Sequence, residues 1–476
     1  MRACRWWVCC GFALVGLVAL AGCGAGGEAL GPPSSVTVGA ATGTVVIAPV
    51  GSALTVTVEG ASDLVLGLVS TARTSGSLAV TVNDGTTSLP PLSTRADEPV
   101  IHDRGTMPVL AVGGLAVTPT RQVVGSTRTF TTHDPSGSGY VRITARLRAV
   151  GAHCLVYANT AIPTAAFDAS DAADVRNQWD SGIHPTDTGL FGSESDVDAN
   201  DKVLLLFTEL EANTGGYFDP NDLVAGRRND ADMVYCRAPR DQDGARYADA
   251  RNRLLSTLAH ELQHLINFNQ KRLLRGVGPE EVWISEGLSN NAAQENGFLD
   301  LPANPPDFVA RWFTSPETYT LQNLDSNYKI GHSGVAYLFI RYLVGRYGQS
   351  VYGSLVRGKA IGTANVAAAT GRSFASLATE FTAAAMLSGT GLTSDNRYEI
   401  AGFDTHGSYL GGTLTLRGPR MTVVDGASGR PAFRAALPSG GIRYLRVRGL
   451  PTNGGLLRLT GGAGGVYAVL MRIPSS

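Results

Sequence analysis

The sequence lacks an excess of charge of either sign, because 39 Lys and Arg residues are matched by 40 Asp and Glu residues among 476. A chain without a broad basic surface attracts phosphates weakly, so the composition argues against nucleic-acid binding. Its 58 glycines and 23 prolines predict many turns, yet they stay below the level typical of disordered or collagen-like chains. The length allows about three domains, and we expect a turn-rich globular protein with much β structure.

The apolar run at the amino terminus, Trp6–Leu20, is short for a membrane-spanning helix. Two arginines precede it, so residues 1–22 are predicted to be a secretory signal. The run ends in Leu20-Ala21-Gly22-Cys23, which resembles the lipobox of bacterial lipoproteins. This resemblance implies lipidation of Cys23 and an exported protein held by its lipid in the bacterial cell envelope, at the outer surface or the periplasmic face. An ordinary cleaved signal with an incidental cysteine is the alternative.

Cysteine is scarce in the part of the chain that follows Cys23, where Cys154 and Cys236 are the two that remain. Two thiolates are too few for a zinc site built from cysteine. In an exported protein they could form one disulfide. The strand-like runs around them suit two separate buried thiols equally well, and both possibilities stay open.

Segments of β-branched residues separated by turn residues mark both ends of the chain. After a flexible tether at residues 23–35, such segments predict a β-rich domain, or a pro-segment, over residues 36–120. Similar segments predict a C-terminal β domain at residues 411–476. Residues 121–395 combine strand signals with helical patterns, which dominate after residue 250. The expected fold class is therefore α+β.

The segment Arg251–Phe268 carries the clearest functional signal. Apolar residues recur in it at helical spacing, which predicts a buried helix interrupted by His260, Glu261 and His264. Two histidines four residues apart lie on one face of a helix, so both imidazoles can reach one metal ion. Glu261 then projects beside them toward a metal-bound water. The pattern is H-E-x-x-H, which is typical of zinc metalloproteases.

A catalytic zinc site of this kind needs a third protein ligand and an open position for water. The metzincin arrangement is excluded, because Asn267 and Gln270 occupy the positions of its glycine and third histidine. Glu286 is predicted to be the third ligand, and Ser285 is expected to cap the helix that begins beside it. The rival acids, which are expected in a solvated turn, are Glu280 and Glu281.

The stretch HELQHLINF at residues 260–268, followed by WISEGLSNNAA at residues 283–293, resembles the gluzincin metallopeptidases, and most closely the hyicolysin family of secreted bacterial proteases. The similarity covers roughly residues 122–387. It implies zinc held by the two histidines and Glu286, with Glu261 as general base. It also implies a catalytic domain with a mixed β-sheet lobe and a helical lobe, here flanked by the β-rich regions, and a peptide or protein substrate.

One departure from the family's pattern concerns a contact to the histidines. Related gluzincins often carry a carboxylate four residues after the ligand glutamate, where it orients a zinc-bound histidine; this sequence has Asn290 there. An amide can accept the same hydrogen bond but contributes no charge. Asn291 and Glu295 are the residues that could compensate.

A second departure concerns the group that stabilises the developing oxyanion. The family's downstream helix commonly places a tyrosine before a glycine, where this chain has Ser333 before Gly334. His332 and Tyr328 are the available substitutes, so both are candidate catalytic residues. The alternative for His332 is that it caps the helix.

The run DVDAND at residues 196–201 resembles the start of a calcium loop, with oxygen ligands at alternate positions. Phe207 occupies the twelfth position, where an EF-hand needs a glutamate, so a polar turn is favoured.

Together these features predict an exported, lipid-anchored zinc endopeptidase that acts on peptides or proteins through a zinc-activated water. The alternative is a catalytically inactive surface lipoprotein that acts as a binding or adhesion module. Zinc content and casein cleavage distinguish the two.

Overall fold

The structure is a computed structural model that describes residues 33–72, 77–83, 85, 88–89, 100–101, 122–137, 139–212, 214–239, 247–299, 306–322, 328–409, 412–461 and 464–475. Cys23 and the predicted signal lie outside the described residues. Within the described ranges, no helix combines the length and the apolar character needed to cross a membrane. From Pro33 onward the chain groups into one compact unit.

Strands dominate both ends of the described chain and helices dominate its centre, which gives the expected α+β class. The strands are β1 Ser35–Val38, β2 Val45–Pro49, β3 Leu54–Val58, β4 Asp63–Ser70, β5 Ser77–Val82, β6 Val100–Ile101, β7 Thr127–His133, β8 Tyr140–Val150, β9 Cys154–Asn159, β10 Val203–Thr208, β11 Gly216–Tyr217, β12 Met233–Arg237, β13 Tyr328–Lys329, β14 Ser408–Tyr409, β15 Leu414–Thr415, β16 Met421–Asp425, β17 Phe433–Pro438, β18 Ile442–Arg448, β19 Gly455–Gly461 and β20 Val466–Ile473. The α-helices are α1 Ala169–Gln178, α2 His184–Phe191, α3 Tyr247–Phe268, α4 Val282–Glu295, α5 Asp307–Thr314, α6 Ile330–Tyr347, α7 Ser350–Arg357, α8 Gly362–Thr370 and α9 Phe374–Leu387. π-Helical turns follow α1 and α3, at Trp179–Ile183 and Asn269–Leu273.

Strands from the two ends of the chain form a β-sandwich. One sheet has the order β1-β3-β19-β5-β17 and the other the order β16-β18-β4-β20-β2. Side chains of both sheets, among them Leu54, Leu66 and Leu459, share one apolar core. The sequence suggested separate β-rich regions at 36–120 and 411–476; each sheet of the sandwich instead combines strands from both regions, because pairing between distant segments leaves no local sequence signal.

Strand β4 connects this sandwich to the helices. It lies between β18 and β20, and all of its residues are buried. Because successive side chains of a strand point to opposite faces, Leu66 enters the sandwich core while Val65 and Val69 join the core beneath the helices. Gly67 allows the close approach of α9, since a Cβ there would lie 2.9 Å from Thr382 Cγ2.

A six-stranded mixed sheet with the order β11-β12-β10-β9-β8-β7 forms the second β structure. Strands β9, β10 and β12 run parallel, whereas β11, β8 and β7 pair antiparallel with their neighbours. The parallel strands are buried on both faces, as their nearly continuous apolar sequences predict. Cys154 and Cys236 lie in this sheet as two separate buried thiols rather than a disulfide.

Helix α3 places the HExxH motif between this sheet and the other helices. It contacts β11 and β12 on one side and α4 on the other, and α4 in turn contacts α6. The helix predicted over Arg251–Phe268 is confirmed, and it begins one turn earlier, at Tyr247. Strand β11, at the edge of the sheet, is therefore the strand that borders the motif.

Candidate metal centre

Helix α3 brings His260 and His264 together at its buried face. Its apolar residues Leu258, Leu262 and Leu265 are fully buried, and this burial fixes the rotation of the helix. The two histidine Nε2 atoms lie 3.1 Å apart. Burial lowers the pKa of His260 to about 4, against the opposing charge of Glu286, which keeps its imidazole in the neutral form that binds metals.

Glu286 reaches the two histidines from α4. Its Oε2 lies 3.5 Å from His260 Nε2, and its Oε1 lies 3.4 Å from His264 Nε2. The carboxylate is 2% exposed, and although burial opposes its ionisation, the two histidines hold its pKa below the ordinary value. Its Oε2 is buried without a hydrogen-bond partner. The three predicted ligands therefore meet at one point.

The spacing of these three groups fits a tetrahedral zinc ion. Zinc binds nitrogen and oxygen at about 2.0–2.2 Å, so neighbouring ligand atoms on a tetrahedron should be about 3.3–3.5 Å apart. The two histidine nitrogens are 3.1 Å apart, and each lies 3.4 or 3.5 Å from one of the two Glu286 oxygens, which is close to these values. The histidine side chains also keep 19% and 16% of their surface exposed, which leaves an open side for water and substrate.

Two serines that the sequence analysis did not assign to the site orient His264. Its Nδ1 lies 2.9 Å from Ser285 Oγ and 3.2 Å from Ser289 Oγ. The expectation that Ser285 caps its helix was wrong, because α4 begins at Val282 and its N-cap position is Glu281. Their spacing in the sequence could have indicated this role, because serines one helical turn apart share a face of the helix. That face lies next to the ligand glutamate.

Asn290 lies beside His260. Its side chain hydrogen-bonds to His260, which opposes the effect of burial on the histidine pKa, and its amide donates to the Glu286 carbonyl at 2.8 Å. The two residues suggested as compensating groups lie elsewhere. Asn291 donates to the carbonyl of Gly287, and Glu295 pairs with an arginine of α6.

Glu261 lies beside the edge strand and outside the group of three ligands. It is 6% exposed, and its Cγ would be 3.2 Å from a Cβ added to Gly216 of β11. Glycine at this position therefore allows the backbone of the edge strand to pass directly over the Glu261 side chain. Gly216 belongs to no sequence motif that would indicate this contact.

Tyr328 and His332 lie together, with their rings 5.4 Å apart. Tyr328 is buried, and burial together with the charge of Glu286 raises its pKa well above the ordinary value, so its hydroxyl keeps its proton. His332 Nδ1 lies 3.0 Å from the backbone nitrogen and 3.2 Å from the carbonyl oxygen of Thr320, so either tautomer finds a partner there. The Tyr328 hydroxyl can act as a hydrogen-bond donor, and His332 can do so through the ring nitrogen that carries its proton. Ser333, at the position of the family's tyrosine, is buried.

The rival acids have other partners. Glu280 forms a buried ion pair with Lys271 at 3.0 Å, so the solvated turn expected for it was wrong. Glu281 accepts a hydrogen bond from Trp283 Nε1 at 2.7 Å. Neither belongs to the group around His260.

Comparison with known proteins agrees with this chemistry. The chain is 30% identical over 189 residues to the neutral metalloprotease ShpI of Staphylococcus hyicus. This similarity supports a metalloprotease. The match covers 36% of the chain and 41% of its relative, so it supports a metal-dependent peptidase without identifying the substrate. No protein-family model matches the chain.

Proposed function

We propose that the protein is a zinc-dependent endopeptidase of the gluzincin type, similar to the hyicolysins. His260, His264 and Glu286 would hold the zinc, and Glu261 would be the general base. The observation that carries the proposal is the convergence of the two histidine nitrogens, 3.1 Å apart, with the two Glu286 oxygens, which lie 3.4 and 3.5 Å from them. This arrangement suits one tetrahedral ion. The similarity to a metalloprotease supports it independently.

Zinc, when bound, supplies a Lewis acid that polarises the substrate carbonyl and makes water a stronger nucleophile. Glu261 accepts a proton as water adds to the carbonyl carbon, and it passes that proton to the nitrogen as the C–N bond breaks. The second proton of the water also ends on the nitrogen, so the products are a carboxylate and an ammonium group. The Nε2–H of His332 and the hydroxyl of Tyr328 are the proposed donors to the oxyanion that develops on the carbonyl oxygen.

The edge strand suggests how a peptide would bind. Strand β11 is paired with β12 on one side, and it lies at the end of the strand order. An extended peptide that adds to such an edge forms main-chain hydrogen bonds with little sequence preference. Because Gly216 borders Glu261, a peptide on this edge would pass the proposed base in mid-chain, as an endopeptidase requires.

We also propose that the protein is exported and anchored in the cell envelope by a lipid on Cys23. The support for this is the lipobox-like sequence LAGC. A lipid anchor would restrict the enzyme to substrates that reach the membrane surface.

Zinc analysis and casein cleavage by the purified protein test the proposed enzyme. We expect one zinc per chain, and Glu261→Gln should keep the zinc while turnover falls at least about a hundredfold. Glu286→Gln should lose zinc, whereas the matched control Glu281→Gln should retain it. Stoichiometric zinc without proteolysis would favour the inactive surface lipoprotein, and retention of zinc by Glu286→Gln would refute the ligand set.

A further inference from the structure

A second group of convergent carboxylates lies at the amino ends of β10 and β12. Asp196 and Asp198 belong to the loop before β10, and Asp232 immediately precedes β12. One oxygen of each carboxylate lies within 4.8 Å of the corresponding oxygens of the other two. None of the three belongs to the HExxH helix or to α4, so the group is separate from the candidate zinc centre.

Hydrogen bonds fix the loop around these carboxylates. Asp232 accepts a bond from the Ser195 hydroxyl and another from the Val197 N–H, the latter at 2.5 Å. Asp196 Oδ1 accepts from the N–H of Asn200 at 2.9 Å. A carboxylate offers about four acceptor positions, so each of these side chains keeps lone pairs for a further partner.

Asp198 provides the observation that points to a bound cation. Its side chain is buried, with 7% of the residue exposed. Oδ2 accepts a bond from Asn200 Nδ2 at 2.6 Å, whereas Oδ1 is buried without any hydrogen-bond partner. Buried polar atoms without partners are rare, because the lost hydration is not replaced. A cation held between the three carboxylates would be the missing partner of this oxygen.

The described surroundings do not neutralise the group. Lys202 directs its amine to two backbone carbonyls at 2.8 and 2.6 Å, and Arg128 acts on Asp198 through its charge without forming an ion pair. A divalent cation among the three carboxylates would compensate the repulsion between their charges.

We propose that Asp196, Asp198 and Asp232 form a calcium site that fastens the loop before β10 to the start of β12. Ligands that are all oxygen suit Ca²⁺, whereas zinc sites favour nitrogen and sulfur. Ca²⁺ binds oxygens at 2.3–2.6 Å, so any two of its oxygen ligands are at most about 5.2 Å apart. The three carboxylate oxygens all lie within 4.8 Å of one another and meet this limit. Asp196 is exposed, so water can complete the coordination.

This site goes beyond the proposed peptidase and does not depend on it. It uses two residues of the run DVDAND and a third from the next parallel strand, so it needs no glutamate at the twelfth position of an EF-hand. By joining β10 to β12, bound calcium would stabilise the sheet whose outer strand borders Glu261.

Isothermal titration calorimetry of the purified protein, freed of metals and reloaded with one equivalent of zinc, tests the site. We expect one Ca²⁺ per chain and a higher midpoint of thermal unfolding when calcium is present. Asp198→Asn keeps the size of the side chain but removes its charge, so it should weaken calcium binding at least about tenfold. The matched control Asp201→Asn removes a charge from the same loop outside the group and should bind as the wild type does.

Asp196→Asn is the second variant, because its exposed side chain can change without disturbing the core, and it should also weaken binding. The absence of calcium binding by the wild type would overturn the proposal. Unchanged binding by both Asp196→Asn and Asp198→Asn, or an equal loss in Asp201→Asn, would overturn the assignment to these residues. Magnesium binding as tight as that of calcium would overturn the choice of ion.

Discussion

Replacing Lys271 by methionine should destabilise the protein without changing its metal content. Lys271 lies in the π-helical turn after α3 and Glu280 lies just before α4; each side chain is 1% exposed, and Nζ is 3.0 Å from Oε2. The ammonium also donates to the carbonyls of Gly358 and Ala360, at 3.2 and 2.7 Å. The pair thus ties the two helices that carry the candidate ligands to the segment between α7 and α8.

The expected loss of stability depends on which charge each variant leaves buried without its partner. A buried charge that loses its partner costs about 3–5 kcal/mol. Glu280 keeps three other donors at 2.6–2.9 Å, which are the N–H groups of Glu281 and Gly362 and the amide of Asn365. Lys271→Met should therefore lower the free energy of unfolding by about 3 kcal/mol, near the lower end of this range. Glu280→Gln leaves the ammonium without its charge partner and should cost a similar amount, and the double variant should cost less than the sum of the two.

Urea unfolding followed by tryptophan fluorescence, with saturating zinc, measures these free energies. The control is the exposed pair on α5, where Asp307 and Arg311 are 70% and 30% exposed; Asp307→Asn should cost less than about 0.5 kcal/mol. Zinc content should stay at the wild-type value in every variant. Losses of stability no larger than that of the control would refute the reasoning. Loss of zinc from Glu280→Gln would also refute it and would make Glu280 a candidate ligand again.

Three further predictions concern other parts of the molecule. Removing both hydroxyls that orient His264, by Ser285→Ala with Ser289→Ala, should weaken zinc binding about 10–100-fold in competition with a chelator, whereas Ser354→Ala on α7 should leave it unchanged. Burial and the charge of Asp219 raise the pKa of Asp222 to about 8, so the folded protein keeps a proton that the unfolded chain releases above about pH 4. The free energy of unfolding of the wild type, measured by urea titration, should therefore fall between about pH 5 and 7. Relative to that of Asp222→Asn, it should fall by about 1.4 kcal/mol per pH unit. Cys23→Ala should move the protein from the membrane to the soluble fraction or stall its processing, and unchanged membrane association after a carbonate wash would contradict the lipid anchor.

The part of the candidate site that lies within one helix could be predicted from the sequence. The apolar spacing of α3 determines its buried face, and residues four apart then share that face, so His260 and His264 had to converge. Glu286 was accessible to the same reasoning, because α4 follows α3 closely in the chain and successive elements are usually neighbours in space. The chemistry of its side chain also supported the prediction, since a carboxylate can complete a zinc site that contains two histidines.

The remaining contacts join residues that no periodicity connects. Ser285 meets His264 because α4 begins at Val282, and helix boundaries are the least certain feature of a sequence pattern. Asp232 meets Asp198 through the parallel pairing of β10 and β12, which neither strand specifies alone. The same holds for the sandwich, where β4 pairs with β18 and β20 from the other end of the chain. Which strands pair depends on the total apolar surface that they bury together.

The candidate metal centre is built so that protein contacts orient each ligand. Asn290 holds His260, two serine hydroxyls hold His264, and burial among the helices holds Glu286. Side chains that are already ordered lose little conformational entropy on binding, so a metal ion would bind a formed site rather than drive folding, as it does in small zinc modules. The arrangement also places one buried carboxylate against the His260 imidazole, which burial keeps neutral, as its lowered pKa indicates. A divalent cation would satisfy all three groups at once, whereas a proton would satisfy one of them, so this arrangement favours a metal ion over a proton.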